Sequence, residues 1–436
     1  MSLNMVAILG IVILLILMFN GMNIGWAMLL VGFFGYAYVV NFKAALGVLS
    51  TVPMTQASTY ALTVIPLFIL MGNFAFASGV SSGLYNACDK LLGRLPGGLA
   101  CATVGACACF GAICGSTQAT AATIGTVAIP EMRKFGYKDS LTCGTISVGG
   151  PIGIMIPPSS PMIIYGLLAM VSIGRLFSAG ILPGILESIL ICITIFVLIA
   201  INPSLAPGRT KYKAAEILRS LIGLIPMVIL FAIVFVGMFT GWYTINEAAA
   251  AGAFVAMLLM IVLGKFTWKS FFAVMKDTVK TTGMTYLILI GATVFGNFLT
   301  ITNMPMSLAA TVSSLNVNRY VVFMVIVLIY FLMGMLMDAL PMMMMTVPIF
   351  LPIMNQLGFD STWFGVIIIL VMQLGLITPP VGTSCYVISG IARDVPLVQI
   401  FKGSLPFCIP LLVTIVILCF FPQIALWIPN AIYGVG

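Results

Sequence analysis

The sequence predicts an all-α polytopic membrane protein built from two inverted-topology repeats, each with a re-entrant helical hairpin and a helix broken by a Pro-Pro pair. Three observations carry this. Hydrophobic residues make up 62% of the 436-residue chain and charged residues 6%. Soluble domains carry about 25% charged residues, so lipid must cover most of this surface. Apolar runs near the roughly 20 residues that cross a bilayer recur from end to end. Finally, "GIMIPPSSPM" (153–162) and "GLITPPVGTS" (375–384) place Pro157-Pro158 and Pro379-Pro380 inside apolar stretches, 222 positions apart.

In chain order, residues 1–56 hold N-terminal scaffold helices, with spans at 5–20 and 24–40. A first repeat, 57–200, has spans at 57–77 and 176–200 around a hairpin (97–130) and a broken helix (141–171). Residues 201–282 read as scaffold spans at 221–240 and 245–264 with two cytoplasmic interfacial amphipathic helices, "KYKAAEILRS" (211–220) and "KSFFAVMKDTVK" (269–280). The second repeat, 283–429, has spans at 283–302 and 404–429 around a hairpin (320–354) and a broken helix (362–391). Each hairpin has two short arms about polar or helix-breaking residues, as a segment that re-enters from one side does. "TINE" (244–247) is a capping-box pattern, which gives Glu247 a structural role.

Lys and Arg fix the expected orientation. With Arg209, Lys211, Lys213 and Arg219 in the cytoplasm, alternation gathers 15 of the 18 basic residues there, Arg94 among them. Only Lys43, Arg175 and Arg319 fall outside. The positive-inside rule selects this arrangement, with both termini in the periplasm. No cleavable signal peptide is expected, because the first apolar run leads almost directly into the next.

Composition also excludes function classes. The net charge of +8 is dispersed over loops, which excludes a nucleic-acid surface. The chain has no histidine, so His-based triads, proton relays and most His-containing metal centres are absent. The cysteines of "CATVGACACFGAIC" (101–114) lack metal-ligand spacing and read as small buried hydrophobes. "MMMM" (342–345) points around a helix and reads as packing. An aspartyl hydrolase needs two carboxylates, and the deep apolar stretches offer no such pair, so no enzyme is expected.

Sliding the chain by 222 superimposes Gly153 on Gly375, Pro130 on Pro352 and Gly136 on Gly358, along with both Pro-Pro pairs. "GNF" at 72–74 recurs at 296–298, and Phe177, Gly180 and Pro183 match Phe401, Gly403 and Pro406. These residue types dictate backbone shape. Counting crossings, Asn73 and Asn297 lie on helices leaving opposite faces, so the copies are inverted, a recurring plan of secondary transporters. Proline removes a backbone donor and unwinds its helix. Unwound backbone at membrane depth is tolerated where it is buried or lines a cavity. The freed carbonyls of Gly153, Ile156, Gly375 and Thr378 suit a hard cation, and the half-helix N-termini beyond the prolines suit an anion.

The hairpin tips concentrate polar groups. The first, "GAICGSTQATAATIG" (111–125), carries Ser116, Thr117, Gln118, Thr120 and Thr123. The second, "GMLMDALPMMMMTVP" (334–348), carries Asp338, which aligns with Ser116 and is the only formal charge between Arg319 and Asp360. An intramembrane carboxylate is functional by default. With no basic residue nearby in sequence, its partner is a bound cation, sodium by its oxygen ligands, or a proton. Glu187 reads as a buried polar contact or a contact to a partner helix.

At these motifs, and at "AIPEMRKFGY", "GPIGIMIPPSSPMIIYG", "RLFSAGILPG", "GMLMDALPMMMMTVPIFLPI" and "GLITPPVGTSCYVISG", the chain resembles the large membrane (M, or DctM-like) subunit of TRAP (tripartite ATP-independent periplasmic) transporters. The likeness covers essentially the whole sequence. The first tip reads "GST" where the family often has "GSS", which keeps the hydroxyl. The resemblance implies an elevator-type, ion-transporter-superfamily-like fold in a bacterial inner membrane. It also implies import of an organic acid anion, such as a C4-dicarboxylate or sialic acid, driven by two or more coupling Na+ ions. The implied partners are a periplasmic substrate-binding protein (P) and a small four-helix membrane subunit (Q). By the same resemblance, one Na+ site would involve Ser116, Gly153, Ile156 and Pro158, and its twin Asp338, Gly375, Thr378 and Pro380. Substrate would lie near Thr117, Thr120, Ser159, Thr383 and Ser384, with Asn73 and Asn297 in support. A stand-alone divalent-anion/Na+ symporter, which needs no binding protein, shares the hairpin architecture and is the alternative.

Overall fold

Polar caps divide the apolar chain into helices. The computed structural model describes residues 2–93, 95–206, 213–314 and 317–434. Arg94, Arg209 and Lys211, used in the orientation argument, lie outside the described residues, as does the start of the expected helix at 211–220. Ser2, Asn23 and Asn41 each accept a backbone N–H at the starts of α1 (Leu3–Phe19), α2 (Ile24–Val39) and α3 (Phe42–Ser58). The caps take up amide hydrogens that a helix leaves unpaired at its N-terminus.

The first repeat region follows as α4 (Val64–Ala77), α5 (Val80–Leu92), α6 (Gly98–Cys114), α7 (Thr117–Lys134), α8 (Asp139–Ile152), α9 (Ser160–Ala169) and α10 (Ile173–Ile201). The middle holds α11 (Ala214–Leu221), α12 (Ile225–Phe239), α13 (Ile245–Val262) and α14 (Trp268–Ile301). The remainder is α15 (Met304–Ser314), α16 (Arg319–Gly334), α17 (Ala339–Gln356), α18 (Ser361–Leu376), α19 (Thr383–Ile391), α20 (Leu397–Ser404), α21 (Cys408–Phe420) and α22 (Gln423–Tyr433). The described residues form no strand. Among the described residues, seven helical stretches are long and apolar enough to cross a bilayer.

Pairs of consecutive helices cover both segments expected as hairpins, and both segments expected as broken helices are interrupted at their double prolines. α6–α7 and α16–α17 are the hairpins; α8–α9 and α18–α19 are helices interrupted at the double prolines, whose Pro157-Pro158 and Pro379-Pro380 peptide bonds are cis. Thr244 and Glu247 form the expected capping box, with the Thr244 N–H donating to the Glu247 carboxylate at 2.7 Å.

Three expectations differ from the structure. α3, α5 and α15 fall where no helix is expected. The C-terminal half of α3, "STVPMTQAS", is polar and carries Pro53, which hid its helical character. The segment 269–280 is no separate interfacial helix. α14 runs unbroken through it, because its buried stripe continues through Val274, Thr278, Thr285, Ile288 and Ala292 at helical spacing. The expected span at 404–429 instead begins at Leu397, ends at Phe420 and is followed by the separate α22. Pro422 follows the break, where it cannot continue a helix.

Packing places the hairpins against a framework. α14 lies along α2, α3 and α4, and α13 packs on α4 and α12. The broken helices pack among α6, α7, α10, α16, α20 and α21. α4 touches α6 and α9, and α14 touches α17, so these contacts join the two groups of helices. Arg133, at the end of α7, pairs with Asp139 at 2.6 Å and with Asp394, in the loop after α19, at 2.8 Å.

Candidate functional site

Ser116 and Asp338, aligned by the 222-residue offset, occupy the same structural position. Each is the N-cap residue of the second arm of its hairpin. Gly115 turns the first tip with φ +61°, a left-handed conformation that favours glycine. Ser116 Oγ then accepts the Ala119 N–H at 3.4 Å. Asp338 makes no such cap bond. The Gln118 side-chain amide donates to Asp338 Oδ2 at 3.4 Å, joining the two tips, while Oδ1 is buried without a partner.

Each break lies against its own tip. A Cβ on Gly115 would touch the Pro158 carbonyl oxygen at 3.2 Å. In the second unit the Val381 N–H donates to the Met335 carbonyl at 3.2 Å. Glycine pairs permit this closeness. Gly111 on α6 crosses Gly153 at the end of α8, and Gly334 on α16 crosses Gly375 on α18; a Cβ on Gly153 or Gly375 would strike the facing backbone. The motif comparison pairs Gly153 with Gly375, but their crossing partners sit at an offset of 223 and escape it.

Unwinding leaves oxygen atoms available. Among the described residues, no hydrogen bond reaches the carbonyls of Gly153, Ile156, Pro158, Thr378 or Pro380. The Gly375 carbonyl accepts the Thr378 N–H at 3.1 Å, and Thr378 Oγ1 donates to the Leu374 carbonyl at 2.6 Å. Thr120 Oγ1 and Thr383 Oγ1 are buried without partners. Carboxylate, carbonyl and hydroxyl oxygens are the donor set of hard cations such as sodium.

Between the tips and the framework lies a cavity of about 140 Å³. Ser116 and Thr117 bring the N-terminus of α7 to it, Ser160 and Pro161 that of α9, and Asp338 and Ala339 that of α17. Asn73, Thr281 and Thr285 line the opposite wall. No Lys or Arg lines it. Each helix N-terminus carries about half a positive elementary charge. Three of them meeting in one cavity give it a potential that favours negative charge without a basic side chain.

The expected substrate residues divide. Thr117 and Asn73 line the cavity, Asn73 also donating to Thr278 Oγ1 at 2.9 Å. Thr120, Ser159, Thr383, Ser384 and Asn297 do not line it. Ser159 caps α9, accepting the Met162 N–H at 3.5 Å, and Ser384 Oγ donates to the Ser147 carbonyl at 2.6 Å, tying α19 to α8. Sequence reasoning missed Thr281 and Thr285. Their i, i+4 spacing in "KTTGMT" was a legible signal, masked by reading 269–280 as a surface helix.

The description "Tripartite ATP-independent periplasmic transporter, DctM component" matches residues 11–424. This chain belongs to the DctM family. Its members include the C4-dicarboxylate TRAP transporter large permease protein DctM of Pseudomonas aeruginosa, to which the chain is 33% identical over 85% of its own length and 86% of the relative's. The sialic acid TRAP transporter large permease protein SiaM of Vibrio cholerae is 30% identical, over 96% and 97% of the two chains. In fold, the chain is similar to the YdaH transporter of Alcanivorax borkumensis, with a TM-score of 0.63 at 17% identity, covering 89% of this chain and 90% of that one. The DctM-family chain is thus an all-helical membrane transporter component and not an enzyme.

Proposed function

We propose that this chain is the large membrane subunit of a sodium-coupled importer for a small organic acid anion. The observation that carries the proposal is the cavity where three helix N-termini converge on a buried, unpartnered carboxylate oxygen, with no basic side chain present. By themselves the N-termini favour an anion, but the charge of Asp338 opposes one. A sodium ion at Asp338 removes that opposition, so cation and anion bind together. This is the physical basis of coupling, since a ligand shifts an equilibrium only by its differential affinity for the two states.

Ser116 with the Gly153, Ile156 and Pro158 carbonyls forms one sodium site in this reading. Asp338 with the Thr378 and Pro380 carbonyls forms the second, beside the Gly375 carbonyl, which already accepts the Ile377 and Thr378 N–H groups. Thr117, Ser160, Asn73, Thr281 and Thr285 hold the substrate. The two repeats lie inverted in a bacterial inner membrane with both termini in the periplasm. The hairpins and broken helices move as an elevator past α4 and α14. Relatives with TRAP names support a binding protein that delivers substrate and a small membrane subunit that braces the framework.

Uptake of labelled C4-dicarboxylates and sialic acid into proteoliposomes tests this. The expected result is uptake that requires an inward sodium gradient, both membrane subunits and the binding protein. Equal uptake under a potassium gradient would refute sodium coupling. Equal uptake without the binding protein would establish the stand-alone symporter instead.

A further inference from the structure

Away from the cavity, the core holds a second carboxyl group. Glu187 lies on α10, one turn beyond Pro183, with 0% exposure and both carboxyl oxygens lacking a hydrogen-bond partner. Gln373 on α18, two residues before Gly375, is also 0% exposed, and neither its amide nitrogen nor its oxygen has a partner. α10 packs on α18, and the Gln373 amide is the side chain that approaches the Glu187 carboxyl. Four buried polar atoms without a hydrogen-bond partner therefore lie at one helix contact.

Among the described residues, no unpaired cation lies on the elements packed against α10 around Glu187. α10 packs against α6, α8, α9, α18, α21, α22 and two short 3₁₀ turns, Pro203–Leu205 and Leu405–Phe407. Of these only α8 carries a formal charge, Asp139, which pairs with Arg133 at 2.6 Å. The other charge on α10 is Arg175, which donates to Asn430 Oδ1 at 2.8 Å and to the Gly434 carbonyl at 3.0 Å. The remaining titratable groups on these elements are the phenols of Tyr165 and Tyr433 and the thiols of Cys101, Cys107, Cys109, Cys114, Cys143, Cys192, Cys408 and Cys419. Burying an unpaired carboxylate costs several kcal/mol, and such groups neutralise instead.

Hydrogen-bond chemistry points the same way. An ionised carboxylate has only acceptors, so it satisfies the Gln373 N–H and leaves the amide oxygen facing a negative charge. A carboxylic acid has one O–H donor and one carbonyl acceptor, which match the amide oxygen and amide N–H of Gln373 in both directions. We propose that Glu187 is a proton-binding site whose protonated carboxyl pairs with Gln373 through two hydrogen bonds, latching α10 to the helix that leads into the second Pro-Pro break. Loss of that proton would open the latch, so alkaline pH weakens the packing of the second broken helix without any contact between Glu187 and substrate.

Infrared difference spectroscopy of the purified protein in nanodiscs at neutral pH tests the proposal directly. The expected spectrum contains the carbonyl band of a protonated carboxylic acid, which shifts on transfer to heavy water. The band is lost in Glu187→Gln, shifts in Gln373→Leu and persists in Asp338→Asn. Glu187→Gln mimics the neutral acid, so it keeps its melting temperature while uptake loses the alkaline decline of the wild type. Absence of the band from both the wild type and Asp338→Asn, or its survival in Glu187→Gln, would overturn the proposal.

Discussion

At the residue scale, one hairpin position serves two chemistries. Ser116 caps α7 and offers a neutral oxygen, whereas Asp338 starts α17 with a carboxylate that makes no cap bond and keeps Oδ1 free. The pairing was legible in sequence because the same offset aligns both residues and both Pro-Pro pairs. Nothing local showed that Gln118 would bridge the tips, since that contact joins residues 220 positions apart. Replacing Ser116 separates its capping role from the proposed ion binding. Ser116→Thr retains the hydroxyl and is expected to keep sodium affinity. Ser116→Ala is expected to weaken it and, through the lost cap, to cost about 1 kcal/mol of stability. Sodium titrations of uptake and thermal melts of both variants check this, and equal sodium affinity in the two would remove Ser116 from the site.

At the element scale, glycine decides how closely a hairpin arm approaches a broken helix. Gly153→Ala puts a Cβ into the Gly111 backbone, and overpacking of this kind typically costs 1–3 kcal/mol. Gly390 in α19 has open space around its Cβ position, so Gly390→Ala is expected to leave the melting temperature unchanged or raise it. Equal melting temperatures would mean that the crossing does not set the packing. A second device joins elements distant in sequence. The Arg133 guanidinium beside Asp394 holds that carboxyl below its ordinary value. A lowered carboxylate pKa contributes stability above the ordinary value of about 3.9 and loses it as pH falls through the folded value. The stability advantage of the wild type over Asp394→Asn is therefore expected at neutral pH and should vanish on acidification, as melts across that range would reveal.

The elements legible in sequence are those whose signals are local. Pro-Pro breaks and the "TINE" capping box are written in a few adjacent residues, and each appears where expected. α3 and the unbroken α14 were not legible, because partners far along the chain stabilise them: α3 against α2 and α14, and α14 along α2 and α4. A polar or charged stretch reads as a surface segment until the neighbour that covers one of its faces is known. The same reason hid Thr281 and Thr285, which become a cavity wall only once α14 stands opposite the hairpin tips.

At the scale of the whole molecule, the account depends on charge balance at the hairpin tips. In the proposed function, three helix N-termini attract an anion, one carboxylate opposes it, and a sodium ion bound at Asp338 would resolve the conflict. Equilibrium binding of radioactive sodium to the purified protein in nanodiscs tests this most directly, because it needs no knowledge of the substrate. The account predicts saturable binding to the wild type and loss of one class of sites in a folded Asp338→Asn variant. Identical isotherms for the two proteins would contradict it.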